Sequence, residues 1–122
     1  MNQTIKDLEI LRAEAQQGGG EARIAKQHAK GKQTARERIA ALLDPGTFTE
    51  IGAFVQHRAT DLGMENKRFL GDGVVTGTGK INGRTVYVFA QDFTVLGGSV
   101  GEAHGRKIAK ILDLAYQNGA PL

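Results

Sequence analysis

Over the first 17 positions the apolar residues Ile5, Leu8, Leu11 and Ala15 recur three or four apart. That spacing predicts a helix over 2–17 with a narrow apolar stripe on an otherwise polar surface. Gly18, Gly19 and Gly20 end it, because three glycines in succession make a helix costly. A second, basic helical stretch over 21–30 carries Arg23, Lys26 and Lys30 and stops at Gly31. Thr34-Ala35-Arg36-Glu37 fits a capping box, in which Thr34 accepts from the Glu37 amide and Glu37 reaches back. In the helix that follows, Ile39, Ala40, Leu42 and Leu43 are expected to form the buried face. Asp44-Pro45 closes it, since a residue before proline is pushed out of the helical region.

Further along, the pattern becomes that of strands. Residues 48–55 read as a short strand, and Gly52 inside it points to a bulge or an edge. Positions 56–72 show no clean period and read as loop. Residues 74–81 and 85–90 predict two strands joined by Asn82-Gly83, a strong hairpin signal. The second strand, Val86-Tyr87-Val88-Phe89-Ala90, is apolar on both faces and is expected at the centre of a covered sheet. After Asp92 a turn at Gly97-Gly98-Ser99 leads into a helix over 100–118. Val100, Ala103, Ile108, Ile111, Leu112 and Ala115 keep its period, and Glu102 and Arg106 form a favourable i,i+4 pair. Asn118-Gly119, with Pro121 beyond, is its stop. Strand, turn, helix and stop make the first two-thirds of a βαβ unit, whose returning parallel strand is expected near Ala120. The fold class expected is α/β: a charged helical arm over 1–46 and the truncated start of a domain over 47–122.

Composition narrows the function. Sixteen Lys and Arg against 13 Asp and Glu leave a net charge of +3 in 122 residues, too mild an excess to mark a dedicated nucleic-acid binder. Cysteine is absent, which excludes disulfide scaffolds, thiolate zinc sites and thiol nucleophiles. Trp is absent and aromatics make up 6%, so stacking platforms for single strands are few. No apolar run approaches the ~18–20 residues of a membrane span. Asp7 and Glu9 break any signal core near the start, and a cytoplasmic protein is expected. Seventeen glycines with two prolines point to tight turns and close backbone approaches rather than a disordered linker.

Few residues announce chemistry. Gly97-Gly98-Ser99-Val100-Gly101, between a buried strand and a helix, is placed to offer backbone amides to an anion; a tight strand-to-helix turn explains it as well. It is neither a dinucleotide fingerprint nor a P-loop. Thr76-Gly77-Thr78-Gly79 lies within a strand, where backbone crowding or a bulge accounts for the glycines. Arg23, Lys26, Lys30, Lys32, Arg36 and Arg38 form a basic stretch that either meets phosphates or is a solvated face. His28, His57 and His104 lack metal-ligand spacing. Asp92 stands where an α/β sheet places a functional carboxylate, though turn chemistry serves equally. Ser99 is the only serine and lacks a nucleophile-elbow context.

Several runs are familiar. Gln27-His28-Ala29-Lys30-Gly31-Lys32-Gln33-Thr34-Ala35-Arg36-Glu37-Arg38-Ile39 is one, and Leu42-Leu43-Asp44-Pro45-Gly46 is another. Gly71-Asp72-Gly73-Val74-Val75-Thr76-Gly77 and Ile81-Asn82-Gly83-Arg84 follow. Most specific is Gln91-Asp92-Phe93-Thr94-Val95-Leu96-Gly97-Gly98-Ser99. In this order, over 20–122, they resemble the start of the biotin-dependent acyl-CoA carboxyltransferases. That family holds the propionyl-CoA carboxylase β subunit, the transcarboxylase large subunit and the methylmalonyl-CoA decarboxylase α subunit.

The resemblance implies the N-terminal part of a crotonase-like domain, with the carboxyl of carboxybiotin passed to the α-carbon of an acyl-CoA. It implies a coenzyme A thioester as substrate, biotin on a partner carrier protein or domain, a homo-oligomer, no metal and no nucleic acid. It implies that Lys32, Arg36 and Arg38 approach the coenzyme A phosphates and that Gly97, Gly98 and Ser99 shape the pocket floor. The family's oxyanion-binding segments, a D-S-G-G-A-R run and a later P-C-A-G-G-A run, are absent from these 122 residues, so no catalytic acid, base or nucleophile is assigned. The reading that results is an N-terminal fragment of a carboxyltransferase subunit, inactive alone. Its rivals are a non-catalytic module that binds coenzyme A or a partner, and a basic nucleic-acid-binding fragment.

Overall fold

The computed structural model describes residues 2–122. Three helices come first: α1 (Asn2–Gln16), α2 (Glu21–Ala29) and α3 (Ala35–Leu42). A two-residue strand β1 (Thr49–Glu50), the long strands β2 (Val74–Ile81) and β3 (Arg84–Gln91), and α4 (Glu102–Gln117) complete the fold. The capping box is formed: Thr34 Oγ1 accepts from the Glu37 amide at 3.2 Å, and Glu37 Oε1 accepts from the Thr34 amide at 3.2 Å. The hairpin also forms as expected, with Asn82 at φ 51° and Gly83 at φ 78°, both in the left-handed region a type I′ turn requires.

Asp44 does more than end α3. Its carboxylate accepts from the amides of Asn82 (3.0 Å) and Gly83 (2.8 Å), and its own amide donates to the Lys80 carbonyl (2.7 Å). The end of α3 is thereby pinned to the hairpin tip. Ala35, Ile39 and Leu43, four residues apart, pack on Val75 and Val86 to make the core. Packing thus runs across the divide expected at residue 46. Ala40 and Leu42, expected on the buried face, point outward, Leu42 being 55% exposed. The four-residue stripe alone meets the sheet, since eight residues of helix present one narrow row to a flat partner.

The sheet is antiparallel in the order β1-β2-β3. Two sequence expectations are corrected here. The strand expected over 48–55 is reduced to Thr49–Glu50, because Gly52 at φ 76° turns the chain away. β3, expected at the centre, is the outer strand of the three that the described residues form, and its Phe89 is 38% exposed. The central place goes to the glycine-rich β2. A Cβ at Gly77 would strike the Thr49 carbonyl and the Phe48 ring, and one at Gly79 would strike Leu43. Side-chain-free positions let β1 and α3 close on the sheet.

α4 crosses back over β2 and β3. Its buried face is His104, Lys107, Ile111 and Ala115, while Val100 and Leu112 are 63% and 47% exposed. The apolar period had placed those two inside. Beyond the helix, the Tyr87 amide of β3 donates to the Pro121 carbonyl at 2.9 Å, and the described residues near Ala120 form no strand. Among the described residues no helix is long and apolar enough to cross a membrane.

Candidate functional site

The glycine triplet proves to be a docking point. The Gly19 amide donates to Thr94 Oγ1 at 3.0 Å, and a Cβ at Gly19 would collide with the Thr94 carbonyl oxygen. A Cβ at Gly18 would meet the Asp92 carboxylate. Gly20, at φ 100° and ψ 163°, adopts a backbone that is essentially confined to glycine and starts α2 there. On the other side, Asp92 Oδ1 accepts from the Thr94 amide (2.9 Å) and from Thr94 Oγ1 (2.6 Å). Asp92 and Thr94 are both buried. Asp92 thus does the work of a turn residue, orienting the hydroxyl that receives α2.

Docked in this way, α2 turns one face toward the 93–97 turn. Arg23, Lys26, Gln27 and Lys30 share that face at i, i+3, i+4 and i+7. Together with Phe93, Thr94, Leu96 and Gly97 they enclose a cleft of about 330 Å³. Phe93 is 68% exposed. The Arg23 guanidinium lies 5.4 Å from the centroid of the Phe69 ring, within cation–π range. Phe93 also borders a larger open groove of about 790 Å³ between α3 and β3, with Arg38 at its rim and Leu42, Phe89 and Leu122 among its walls.

The six residues singled out from sequence are not gathered at one place. Lys32 is exposed in the connection between α2 and α3, its amide donating to the Gln27 carbonyl at 3.2 Å. Arg38 faces the α3–β3 groove. Arg36 is engaged within the fold: Nη1 and Nη2 donate to the Glu50 carboxylate at 2.7 and 2.9 Å, and Nη2 donates to the Ala15 carbonyl at 3.1 Å. Gly97 lines the basic cleft, whereas Ser99 lines a separate hollow of about 430 Å³ with His57 and Asp72. A Cβ at Gly98 would lie 3.6 Å from the Phe93 ring.

Two buried polar side chains of α4 escaped the sequence reading. His104 is fully buried, with Nδ1 3.0 Å from the Asp72 carbonyl and Nε2 3.2 Å from the Gln91 amide nitrogen. A carbonyl only accepts, so Nδ1 donates to Asp72, and Nε2 is left to accept from the Gln91 amide. Lys107 donates to the carbonyls of Gly71 and Val74. Burial pushes its ammonium pKa down to about 8, with the nearby Arg36 acting the same way and Glu50 and Asp72 opposing. The available signal was their place on the Ile111–Ala115 stripe, one and two turns toward the N-terminus.

Elsewhere, hydrogen bonds from His28 and from Thr34 hold the Glu37 carboxyl below its ordinary range. A fork from Arg58 does the same for Glu102, which also pairs with Arg106 at 3.1 Å as its spacing foretold. Among the described residues no three His, Asp or Glu side chains gather as metal ligands.

The architecture is that of a crotonase-like carboxyltransferase domain: a solved transcarboxylase 12S subunit superimposes with a TM-score of 0.94 at 48% identity, over 98% of this chain and 23% of that one. That protein was solved as a hexamer with methylmalonyl-coenzyme A bound. The chain belongs to the carboxyl transferase domain family, whose model matches residues 26–122. It is 59% identical to the propionyl-CoA carboxylase beta chain of Cereibacter sphaeroides over all 122 residues, and 53% identical to the methylmalonyl-CoA decarboxylase subunit alpha of Propionigenium modestum over 118. It spans about a quarter of the length of these relatives, 24% and 23% respectively.

Proposed function

We propose that this chain is part of the carboxyltransferase subunit of a biotin-dependent enzyme that moves a carboxyl group between biotin and an acyl-CoA of the propionyl or methylmalonyl type. Its partners on this reading are the acyl-CoA, a biotin carrier protein or domain and further copies of the subunit. The observation that carries the proposal is the match to a propionyl-CoA carboxylase beta chain along the whole of this sequence, 59% over 122 residues. Carboxyl transfer develops negative charge on an enolate and on the biotin urea oxygen, and backbone amides aimed at those oxygens supply most of the catalysis.

Within that reaction the described residues bind and support. Lys32 and Arg38, both exposed and at either end of the capping-box segment, are the phosphate contacts. Arg36 stands behind them and acts by holding α3 to Glu50 of β1. Gly97, Gly98 and Ser99 shape the backbone between β3 and α4 next to the substrate.

The test is an exchange. Placed in the Cereibacter propionyl-CoA carboxylase beta chain in place of the matching stretch, these 122 residues should sustain bicarbonate fixation into propionyl-CoA by the assembled enzyme. Lys32→Ala with Arg38→Ala in that chimera should raise KM for propionyl-CoA several-fold with little change in kcat, as for loss of uniform binding. An assembled chimera without fixation would overturn the proposal. The 122-residue polypeptide alone should show no turnover.

A further inference from the structure

Gly71, Asp72 and Gly73 follow one another at φ 86°, 50° and 76°, so three residues in succession occupy the left-handed region. Asp72 is the one that carries a side chain, and α4 holds it there. His104 Nδ1 donates to its carbonyl at 3.0 Å, and Lys107 Nζ donates to the flanking carbonyls of Gly71 and Val74. The Gly71 amide donates to the Val55 carbonyl and the Gly73 carbonyl accepts from the Asp92 amide, both at 2.8 Å. A backbone kept in a sparsely populated conformation by this many bonds fixes where its side chain goes. Asp72 is only 7% exposed. Among the described residues its carboxylate makes no ion pair and no hydrogen bond, and its oxygens keep access to open space. They open on the hollow of about 430 Å³ that Ser99 also lines.

The hollow holds no partner for this carboxylate. Both ring nitrogens of His57 are taken, by the Lys67 carbonyl and the Ala59 amide. The Arg58 guanidinium forks to Glu102. The Lys107 ammonium is committed to its two carbonyls and lines a different hollow. A buried carboxylate without a partner is costly, and a cation relieves that cost. We propose that the hollow receives the guanidinium of an arginine from the part of the subunit outside these 122 residues, paired with the Asp72 carboxylate. Met64 and Val95 give the hollow apolar walls, which suit a flat, weakly hydrated guanidinium better than a strongly hydrated ammonium. Two of its N–H groups also meet both carboxylate oxygens at once. Among the described residues no three His, Asp or Glu side chains gather as a metal ion would need. The source of the arginine rests on the functional reading above, by which this chain is one part of a subunit. It spans 24% of the propionyl-CoA carboxylase beta chain it matches.

Titration of the 122-residue chain with methylguanidinium, followed through its amide NMR shifts, tests the site. Saturable shifts are expected around Asp72 and Ser99, and methylammonium should bind more weakly. Asp72→Asn should weaken methylguanidinium at least about tenfold, the loss of one charge-assisted contact. Asparagine tolerates the left-handed backbone as aspartate does, so this variant removes the charge and keeps the turn. Its melting temperature as an isolated chain should be no lower than the parent's. Asp61→Asn, at an exposed carboxylate of the same hollow, is the second variant and should change binding by less than about twofold. In the assembled Cereibacter chimera, where the arginine is in place, Asp72→Asn should lower the melting temperature. Undiminished methylguanidinium binding by Asp72→Asn, methylammonium bound equally well, or a chimera whose melting is indifferent to Asp72→Asn would each overturn the assignment. Its failure is separable from that of the functional reading: methylguanidinium binding and melting involve no turnover, whereas bicarbonate fixation decides the reading.

Discussion

The amide of Gly19 and the hydroxyl of Thr94 lie 75 positions apart in the chain and 3.0 Å apart in the fold. That bond sets where α2 meets the rest of the molecule, and the missing side chain at Gly19 makes it possible.

Gly19→Ala should destabilise the chain by about 1–3 kcal/mol, the usual range for forcing an extra carbon into a filled site, because its Cβ would collide with the Thr94 carbonyl. Gly105→Ala is the contrasting case. Gly105 lies inside α4, and a Cβ there meets only the Val100 side chain at 3.9 Å. It should stabilise by about 0.5–1 kcal/mol through helix propensity. Urea denaturation of both variants checks the pair, and equal signs would contradict it.

The pairing of Arg36 with Glu50 is bidentate and partly enclosed, with side chains 23% and 18% exposed, unlike the largely exposed Arg58–Glu102 pair at 79% and 46%. A double-mutant cycle with Arg36→Ala and Glu50→Ala should give a coupling of about 1–3 kcal/mol, clearly above the coupling between Arg58 and Glu102. Arg36→Lys should recover only part of it, since an ammonium cannot reproduce the two-pronged contact.

Lys107 ties folding to alkaline pH. Its pKa in the folded chain is about 8, below the ordinary 10.5. Between those values the unfolded chain binds more protons than the folded one, so this residue makes stability rise with pH. Below pH 8 the cost of burying the charge is fully present; it is relieved progressively from about 8 to 10.5. Stability of the parent minus that of Lys107→Met, measured across this window, should therefore climb. A flat or falling difference would show that the ammonium is not desolvated.

Among the described residues β3 pairs with β2 on one side and on the other meets the Pro121 carbonyl alone, beside an apolar groove walled by Leu42, Phe89 and Leu122. Such edges and patches drive association. Sedimentation velocity should show concentration-dependent self-association of the 122-residue chain, and Phe89→Lys should shift it toward monomer without lowering its melting temperature. A parent chain that stays monomeric throughout would refute this.

Local features were legible because they depend on residues within a few positions of one another. The capping box at Thr34 and Glu37, the Asn82-Gly83 hairpin, the Glu102–Arg106 pair and the stop at Asn118-Gly119 all reappear in the structure. The family was legible too, because several runs in fixed order carry it. Apolar counting failed where a polar group found a buried partner. His104 and Lys107 take the inner face of α4 while Leu112 lies outward and Val100 falls before the helix, since the carbonyls of Asp72, Gly71 and Val74 satisfy the two polar groups.

By itself, then, the amino-acid order determined the helices, the hairpin and the kinship. Tertiary structure alone decided that β2 lies between β1 and β3, that Arg36 is spent on Glu50, and that the triple glycine is a seat for Thr94 as well as a helix stop. The reason is reach. Helix caps and turns are closed by neighbours three or four residues away, whereas these outcomes join groups 14 to 75 positions apart, and no local pattern encodes which distant partner will arrive.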